Sequence, residues 1–189
     1  MPSAFSHAIV AAAIGKVVQP KQTPWWYWAL GVAVSAAPDL DVIGFHFGVR
    51  YGDVMGHRGF THSLFFAALL AGIVTMAFAG QSQISYSRLF LYLFLATASH
   101  GLLDAMTNGG LGVAFFSPFT NARFFFPFRP IAVSPIGVGR FFSPKGSAVI
   151  RSEAMWLWLP SVGIFVVFAI ARSLAKRTVV SEGQGHTQE

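Results

Sequence analysis

The sequence predicts an all-α, polytopic membrane helical bundle of four to five membrane segments, with a long interfacial loop before the last helix. Of the 189 residues, 54% are hydrophobic and only 11% are charged, whereas a soluble globular domain has about 25% charged residues. Long apolar runs alternate with short breaks rich in polar residues, proline and glycine. We therefore expect one membrane-embedded domain over residues 1–178, followed by a polar tail over residues 179–189.

The first two apolar segments are short for a membrane crossing, which takes roughly 20 helical residues. The first, residues 4–18, contains His7 and would be about 22 Å long as a helix, so we expect it to be tilted or partly embedded. It lacks a preceding basic region, which argues against a cleaved signal peptide. The second follows Pro24 with WWYW, a cluster typical of the membrane interface, and Pro38 is predicted to stop it at Ala37.

The third and fourth segments, residues 63–80 and 88–106, are predicted to form an antiparallel pair of helices. They are joined by the short polar turn QSQISYS, which favours neighbouring antiparallel helices. A fifth helix is predicted over residues 154–171 because the apolar run ends at the basic sequence RSLAKR. The tail that follows, residues 179–189, is expected to be disordered.

Residues 107–153 are predicted to form a loop in the membrane interface. Proline and glycine recur too often for a helix, yet phenylalanine is too frequent for a solvated linker. We expect the phenylalanines to enter the acyl boundary while basic side chains reach headgroup phosphates. These basic residues are Arg123, Arg129, Arg140 and Lys145. Lipid anchoring and substrate binding are both open roles for this loop.

Charge and composition exclude some classes of partner and site. The formal net charge is +6, and in a membrane protein such a bias favours loops facing anionic lipid headgroups over nucleic acid. We therefore expect no nucleic-acid partner. The chain has no cysteine, so any metal ligands must be nitrogen or oxygen atoms.

Histidines and aspartates lie at one end of each of the first four segments. If each segment crosses the membrane once, these four ends emerge on the same membrane face, whichever face is inside. The residues are His7, Asp39, Asp41, His57, His62, His100 and Asp104.

Local spacing supports the convergence of these side chains. His100 and Asp104 are four residues apart in a helix, so their Cβ atoms are about 5 to 6 Å apart on one stripe. Asp39 and Asp41 follow a proline in a geometry that can offer two neighbouring carboxylates. The histidines of HRGFTH flank a glycine that lets the backbone turn. This donor set suits Zn²⁺, as one or two ions, although another divalent metal is possible.

Other interpretations of the same cluster remain open at this point. An ionisable group inside a membrane segment costs about 2.5 to 3.5 kcal/mol, so such groups persist where they pair, bind an ion or line a water-filled path. A metal-free network of histidine and aspartate pairs and a proton or ion pathway are therefore alternatives. For His46 we expect an ordinary core or interface position.

Four motifs together resemble the YdjM-like bacterial inner-membrane proteins, a LexA-regulated family assigned as membrane-bound metal-dependent hydrolases. The motifs are SHAIVAAAIG, APDLDVIG, GHRGFTHSLFFAALLAG and HGLLDAMTNGG, and the resemblance covers about residues 3–135. That family is in turn distantly similar to zinc-dependent phospholipase C and the S1/P1 nucleases. The resemblance implies the same seven metal ligands and a bacterial inner-membrane location.

The expected function is a membrane-bound hydrolase that uses metal-activated water to cleave a phosphoester of a phospholipid or another amphiphile. Asp39 or Asp41 is expected as a bridging ligand or base. Arg58 is expected to take part in catalysis and, with Arg123 and Arg129, to bind a substrate phosphate. An equally open interpretation is that Arg58 is an ordinary charge at the membrane interface.

Three further polar residues have expected supporting roles. Thr61 and Asn108 are candidates for orienting ligands or capping helices, and Asp53 for pairing with an arginine. The distribution of basic residues favours a cytoplasmic C-terminus and a site on the periplasmic face. Membrane lipid is the environment and a possible substrate, and the oligomeric state is left open. The alternative function is a non-enzymatic membrane protein with a structural metal site, or a metal or ion carrier.

Overall fold

A computed structural model describes residues 1–19, 23–81, 84–134 and 144–185 of the chain. The fold is all-helical, as the sequence predicts. Its α-helices are α1 (Ala4–Val18), α2 (Trp25–Ala36), α3 (Leu64–Phe78), α4 (Tyr86–Ala105), α5 (Pro144–Glu153) and α6 (Leu159–Gly185). Three 3-10 segments, Ala37–Phe47, Phe60–His62 and Ala79–Gln81, and a π-helical turn, Ala154–Trp158, complete the helical structure. Within the described ranges, β pairing is limited to isolated bridges, Thr107 with Ile131 and Val113 with Phe124.

Helix α4 is the centre of the bundle. Twelve of its twenty residues are buried, and α1, α2 and α3 all pack against it. Tyr92 of α4 stacks on Tyr27 of α2 with ring centroids 4.2 Å apart, within a core that includes Leu89 and Leu93. The predicted pairing of the third and fourth segments is therefore present as α3 and α4.

The prediction that the second segment stops before Pro38 is confirmed for the α-helix but is wrong for the helical path as a whole. The α-helix ends at Ala36, but the chain continues as the 3-10 helix Ala37–Phe47. Pro38 lies in the first turn of that helix, where its missing N–H is not needed. As a result, Trp25–Phe47 is a continuous helical path of 23 residues, and its most apolar 18-residue window has a mean hydropathy of 1.3.

The interfacial loop is predicted to extend to residue 153, and this boundary is wrong. Residues 144–153 form α5, which continues into the last helix. Pro144 occupies the first position of α5, a site that proline favours. The most apolar 18-residue window of Gly146–Leu174 has a mean hydropathy of 2.1, and only 11% of that window is buried. A water-soluble protein rarely exposes so long an apolar surface. The last helix continues to Gly185, within the predicted tail, and residues 186–189 lie outside the described ranges.

Two helical paths, Trp25–Phe47 and Gly146–Leu174, are long and apolar enough to cross a membrane, among the residues described. Helices α1 and α3 have 15 residues each, or about 22 Å, which is shorter than the hydrocarbon core of about 30 Å. The expectation of four to five membrane segments therefore stays a prediction.

Residues 107–134 form an irregular segment that folds across the loop over residues 48–63. Arg123 donates hydrogen bonds to backbone carbonyls of that loop, including His57 O at 3.0 Å. Phe116, Phe119 and Phe128 are more than half exposed, as expected for side chains at a membrane interface. Arg140 lies outside the described residues, and so does the side chain of Lys145.

Candidate metal centre

The seven ionisable residues singled out from the sequence lie together where α1, the 3-10 helix Ala37–Phe47, the loop over residues 48–63 and α4 meet. Donor atoms of six of the seven, all except Asp41, form two groups, and within each group all atoms lie within 4.8 Å of one another. The His62 group is Asp39, His57, His62 and Asp104, and the His100 group is His7, Asp39 and His100. Asp39 belongs to both groups.

Close backbone contacts place His62 in this arrangement. A Cβ atom on Gly101 of α4 would lie 2.7 Å from the carbonyl oxygen of His62, and one on Gly59 would lie 2.2 Å from the carbonyl oxygen of Val54. Only glycine permits such approaches. Immediately after His62, Ser63 Oγ accepts a hydrogen bond from Phe66 N at 3.0 Å and so caps α3.

Distances between the donor atoms match shared coordination better than direct hydrogen bonding. Asp39 Oδ1 lies 3.3 Å from His100 Nε2 and 3.6 Å from His62 Nε2, and Asp104 Oδ2 lies 3.5 Å from His62 Nε2. Good hydrogen bonds of this type are about 2.7 to 3.2 Å long. Two ligands of a tetrahedral zinc ion with bonds of about 2.1 Å are about 3.4 Å apart. The residues present therefore fit a metal ion.

Several of the same atoms are buried without a hydrogen-bond partner among the described residues. They are His7 Nδ1 and Nε2, Asp39 Oδ1, His62 Nε2, His100 Nε2, and both carboxylate oxygens of Asp104. Buried polar atoms nearly always have a partner, because an unmade interaction is costly in a low-dielectric interior. A cation in each of the two groups would give a partner to one donor atom of every residue among them.

The backbone fixes which nitrogen of His100 faces the centre. His100 Nδ1 lies 2.7 Å from the carbonyl oxygen of Ser35, and because a carbonyl only accepts, Nδ1 carries the proton. In a neutral ring Nε2 then presents a lone pair toward Asp39, which is also an acceptor. A proton or a cation must lie between them. His7 stacks on His100 with ring centroids 3.8 Å apart, and so adds two more nitrogens at the same place.

Asp41 contacts one ring nitrogen of each of the two histidines from the loop. Its Oδ1 lies 2.8 Å from His57 Nδ1, and its Oδ2 lies 3.2 Å from His62 Nδ1. Thr61 Oγ1 also donates to Asp41 Oδ2 at 2.8 Å. A carboxylate behind a ligating imidazole fixes its orientation and makes it more basic, so this geometry suits Asp41 and Thr61 to orienting the ligands.

The loop histidine His62 is surrounded by carboxylates. Burial lowers its pKa, but the carboxylates of Asp104, Asp39 and Asp41 outweigh this effect and raise the pKa to about 10. Without a metal, the ring therefore holds a proton at neutral pH. The three acids thus create a site for positive charge at His62.

Arg58 lies inside the protein, although the sequence suggests contact with a substrate phosphate or with headgroups. Its side chain is fully buried and its φ is +64°, a conformation that a non-glycine residue rarely adopts. Nη1 donates to the carbonyls of Gly109 and Leu111 at 3.0 and 2.9 Å, and Nη2 donates to Thr107 Oγ1 at 2.9 Å. Nε lies 3.0 Å from Asp104 Oδ2. The guanidinium thus joins residues 107–111 to the centre.

The other two arginines expected to bind substrate differ in exposure. Arg123 is half-buried and occupied by backbone carbonyls, including that of His57. Arg129 is exposed, and its guanidinium carbon lies 4.9 Å from the centroid of the Phe125 ring. Of the two, Arg129 has the solvent-facing guanidinium.

Three further residues named from the sequence lie away from the metal centre. His46 is exposed at the end of its 3-10 helix. Asp53 forms an ion pair with Arg50 at 3.4 Å, which confirms the expectation that Asp53 pairs with an arginine. Asn108 Oδ1 accepts from Val133 N at 3.0 Å, so this side chain braces the irregular segment.

Sequence reasoning gave no role to Glu153, which is fully buried. Its carboxylate accepts hydrogen bonds from Ser3 and from Ser6 Oγ, the latter at 2.7 Å. Trp158 Nε1 also donates to Ser6 Oγ at 2.7 Å, so the last helix is joined to the first turn of α1, which carries His7. The sequence contains a signal for this role, since a lone acidic residue before a long apolar run requires a partner in a membrane.

The chain is similar to inner-membrane proteins over most of its length. A family profile described as YdjM inner membrane protein matches residues 1–178. The inner membrane protein YbcI of Escherichia coli strain K12 is 40% identical over 162 residues, which cover 86% of this chain and 94% of that protein. No solved structure matches the chain.

Proposed function

Because the chain belongs to the YdjM inner membrane protein family, we propose that it is a metal-dependent hydrolase embedded in the bacterial inner membrane. The observation that carries the proposal is the set of unpartnered imidazole and carboxylate atoms at ligand spacing around Asp39. The substrate class that fits this location is a phosphoester of a phospholipid or of another amphiphile.

The donor types favour zinc as the metal. The His62 group offers Asp39, His57, His62 and Asp104 to one ion, and the His100 group offers His7, Asp39 and His100 to a second. Zinc accepts imidazole nitrogen and carboxylate oxygen, and a catalytic site keeps three protein ligands and one open position. The three donors of the His100 group agree with that count.

A zinc ion held by these residues would lower the pKa of a coordinated water to about 7 and would polarise a phosphoryl oxygen. Around it, Asp41 orients His57 and His62, and Ser35 fixes the tautomer of His100. Asp39 is the most accessible member of the two groups, with a side chain that is 16% exposed. We assign Asp39 the contact with the reacting water, where its carboxylate bridges the groups and accepts a proton.

The surroundings of Asp39 favour an amphiphilic substrate. Leu40 and Ile43, on the same 3-10 helix, are 63% and 51% exposed, so acyl chains can lie beside the accessible edge of the centre. Arg58 and Arg123 are engaged by backbone carbonyls, so we assign Arg129 to the headgroup phosphate and the other two to holding the walls of the site.

A structural metal site is the second candidate, and the burial of the centre favours it. His7, His62, His100 and Asp104 are all less than 5% exposed, and a metal enclosed by protein ligands stabilises a fold without catalysing a reaction. In that case the ligands would connect α1, α4 and the loop over residues 48–63.

Hydrolysis assays on detergent-purified protein distinguish the two functions. The substrates are phosphatidylglycerol in mixed micelles and bis(p-nitrophenyl) phosphate, each with and without a chelator. The enzyme proposal expects metal-dependent turnover that is lost in His62→Ala and kept in His46→Ala, which changes an exposed histidine outside the cluster. A folded, zinc-loaded protein that hydrolyses neither substrate contradicts the proposed activity and supports the structural site.

The proposed topology has four to five membrane segments and places the metal centre toward the periplasm. Because the chain contains no cysteine, an introduced cysteine is its only thiol and can be labelled specifically. His46→Cys should react with a membrane-impermeant maleimide in intact cells, whereas Ser87→Cys, at the other end of the bundle, should react only after permeabilisation. The reverse pattern would place the centre on the cytoplasmic side.

A further inference from the structure

A second polar feature, a cavity of about 710 Å³, lies at the end of the bundle opposite the metal centre. It is formed where α1 ends, where α4 begins and along α6. Its lining includes Val17, Val18, Ser87, Arg88, Leu91 and Arg172. His7 lies at the start of α1, and His100 lies near the end of α4, so the lengths of these helices separate the cavity from the metal site.

The cavity concentrates positive charge without a described carboxylate in its lining. Arg88 and Arg172 both line it, and Lys16, one residue before Val17, lies over the ring of Phe165 at 5.2 Å. The acids whose side chains the structure describes lie in the metal centre, in the loop over residues 48–63 or at the end of α5. An anion is therefore the expected counter-charge for the two guanidinium groups.

Arg172 is held at the rim of this cavity by the end of α1. Its Nη2 donates to the carbonyl oxygen of Val17 at 3.2 Å, which uses one of the five N–H donors of the guanidinium. Arg88 lies in the first turn of α4 and lines the same cavity. Two guanidinium groups that line one cavity can together bind the oxygens of one phosphate.

The rest of the lining is mixed: Gln19, Ser85 and Ser87 are polar, whereas Val17, Val18 and Leu91 are apolar. Val17, Val18 and Leu91 lie beside the arginines, so the cavity combines a cationic rim with an apolar wall. Free phosphate would make no use of that wall, whereas a phospholipid would place its phosphate at the rim and its acyl chains along the valines and the leucine. The position at the helix ends also corresponds to headgroup level in a membrane.

We propose that this cavity binds the phosphate of an anionic phospholipid through Arg88 and Arg172. The site lies on the membrane face opposite the metal centre and does not depend on hydrolysis. A lipid held there bridges α1, α4 and α6, and so stabilises the contact of the exposed last helix with the bundle.

Native mass spectrometry of the detergent-purified full chain tests this proposal with dioleoylphosphatidylglycerol as the probe. The double variant Arg88→Gln with Arg172→Gln should lose about tenfold or more of the lipid affinity. The matched control, Arg50→Gln with Arg151→Gln, removes two exposed arginines elsewhere and should stay within about twofold of the wild type. Dioleoylglycerol, which lacks the phosphate, should not bind measurably.

A second variant keeps the test valid if the double variant does not fold. Ser87→Glu places a carboxylate at an exposed position of the rim and should lower phosphatidylglycerol affinity while metal content stays unchanged. Equal lipid binding by wild type, double variant and Ser87→Glu would overturn the proposal, as would equal binding of dioleoylglycerol. Tight binding of inorganic phosphate that displaces the lipid would overturn it in favour of a free-anion site.

Discussion

Asp41 Oδ2 lies 3.2 Å from Nδ1 of His62, and this contact on one side of the ring leaves Nε2 facing Asp39 and Asp104 on the other. The aspartate that follows Pro38 by three residues thus reaches the loop from behind the histidine. Because a carboxylate partner fixes both the orientation and the basicity of an imidazole ligand, the position of Asp41 has a measurable consequence for metal affinity.

Replacing Asp41 by asparagine should weaken zinc binding without abolishing it. The amide removes the negative charge behind His57 and His62, and changes of this kind reduce metal affinity by about 10-fold to 100-fold. Competition with a chelating dye measures the affinity in detergent. Asp53→Asn, which changes an acid paired with exposed Arg50, is the matched control. Wild-type affinity in Asp41→Asn would exclude the orienting role.

Zinc should change how stability depends on pH. In the metal-free protein the pKa of His62 is raised from 6.5 to about 10, so its contribution to stability is complete below about pH 6.5 and is lost as the pH rises toward 10. Zinc replaces the proton on His62, so the loaded protein should not show this loss. The gap in melting temperature between zinc-loaded and chelator-treated protein should therefore widen between pH 6.5 and 9.

A histidine variant isolates the source of that pH effect. In His62→Ala the gap should stay nearly constant over the same range, because the group with the raised pKa is absent. Wild-type curves that run parallel with and without zinc would show that His62 neither holds the proton nor loses it to the metal.

Arg58→Gln should destabilise the protein strongly. The substitution removes the buried cation that lies 3.0 Å from Asp104 Oδ2, and breaking a buried ion pair in this way costs about 3 to 5 kcal/mol. Arg50→Gln removes an exposed pair with Asp53, which should change the free energy of unfolding by less than about 1 kcal/mol. Denaturant titration monitored by tryptophan fluorescence compares the two variants. Similar small losses in both would show that the Arg58 pair has no structural importance.

The buried position of Arg58 could not be predicted from its sequence neighbours. The motif HRGFTHS places an arginine between two candidate ligands, and this pattern is equally compatible with a phosphate contact. The partners that bury the guanidinium, the carbonyls of Gly109 and Leu111, come from a segment about fifty residues later. Its left-handed backbone conformation likewise depends on those tertiary contacts.

Helical spacing predicted that His100 and Asp104 approach one centre, but not how they divide between its two groups. His100 faces Asp39 together with His7, whereas Asp104 faces His62. A four-residue interval fixes the stripe of α4 on which both side chains lie. The partner of each is decided by where α1 and the loop over residues 48–63 pack, and this depends on tertiary structure.

Glu153→Gln should selectively weaken the His100 group. The substitution removes the negative charge that accepts hydrogen bonds from Ser3 and Ser6, loosening the first turn of α1 and with it His7. Elemental analysis of the folded variant should show zinc content falling from two ions toward one per chain. Arg151→Gln, an exposed substitution two residues earlier in α5, should keep the wild-type content. Full zinc occupancy in Glu153→Gln would show that His7 is positioned without this network.

The metal content of Asp39→Ala tests the central claim most directly, because Asp39 is the residue that the two donor groups share. Detergent-purified wild type, Asp39→Ala and His46→Ala are analysed for metal per chain, with folding checked by thermal unfolding. We predict two zinc ions per chain in wild type and in His46→Ala, and at most one in folded Asp39→Ala. A folded wild-type protein without bound metal or metal affinity, or undiminished metal in Asp39→Ala, would contradict the shared metal centre.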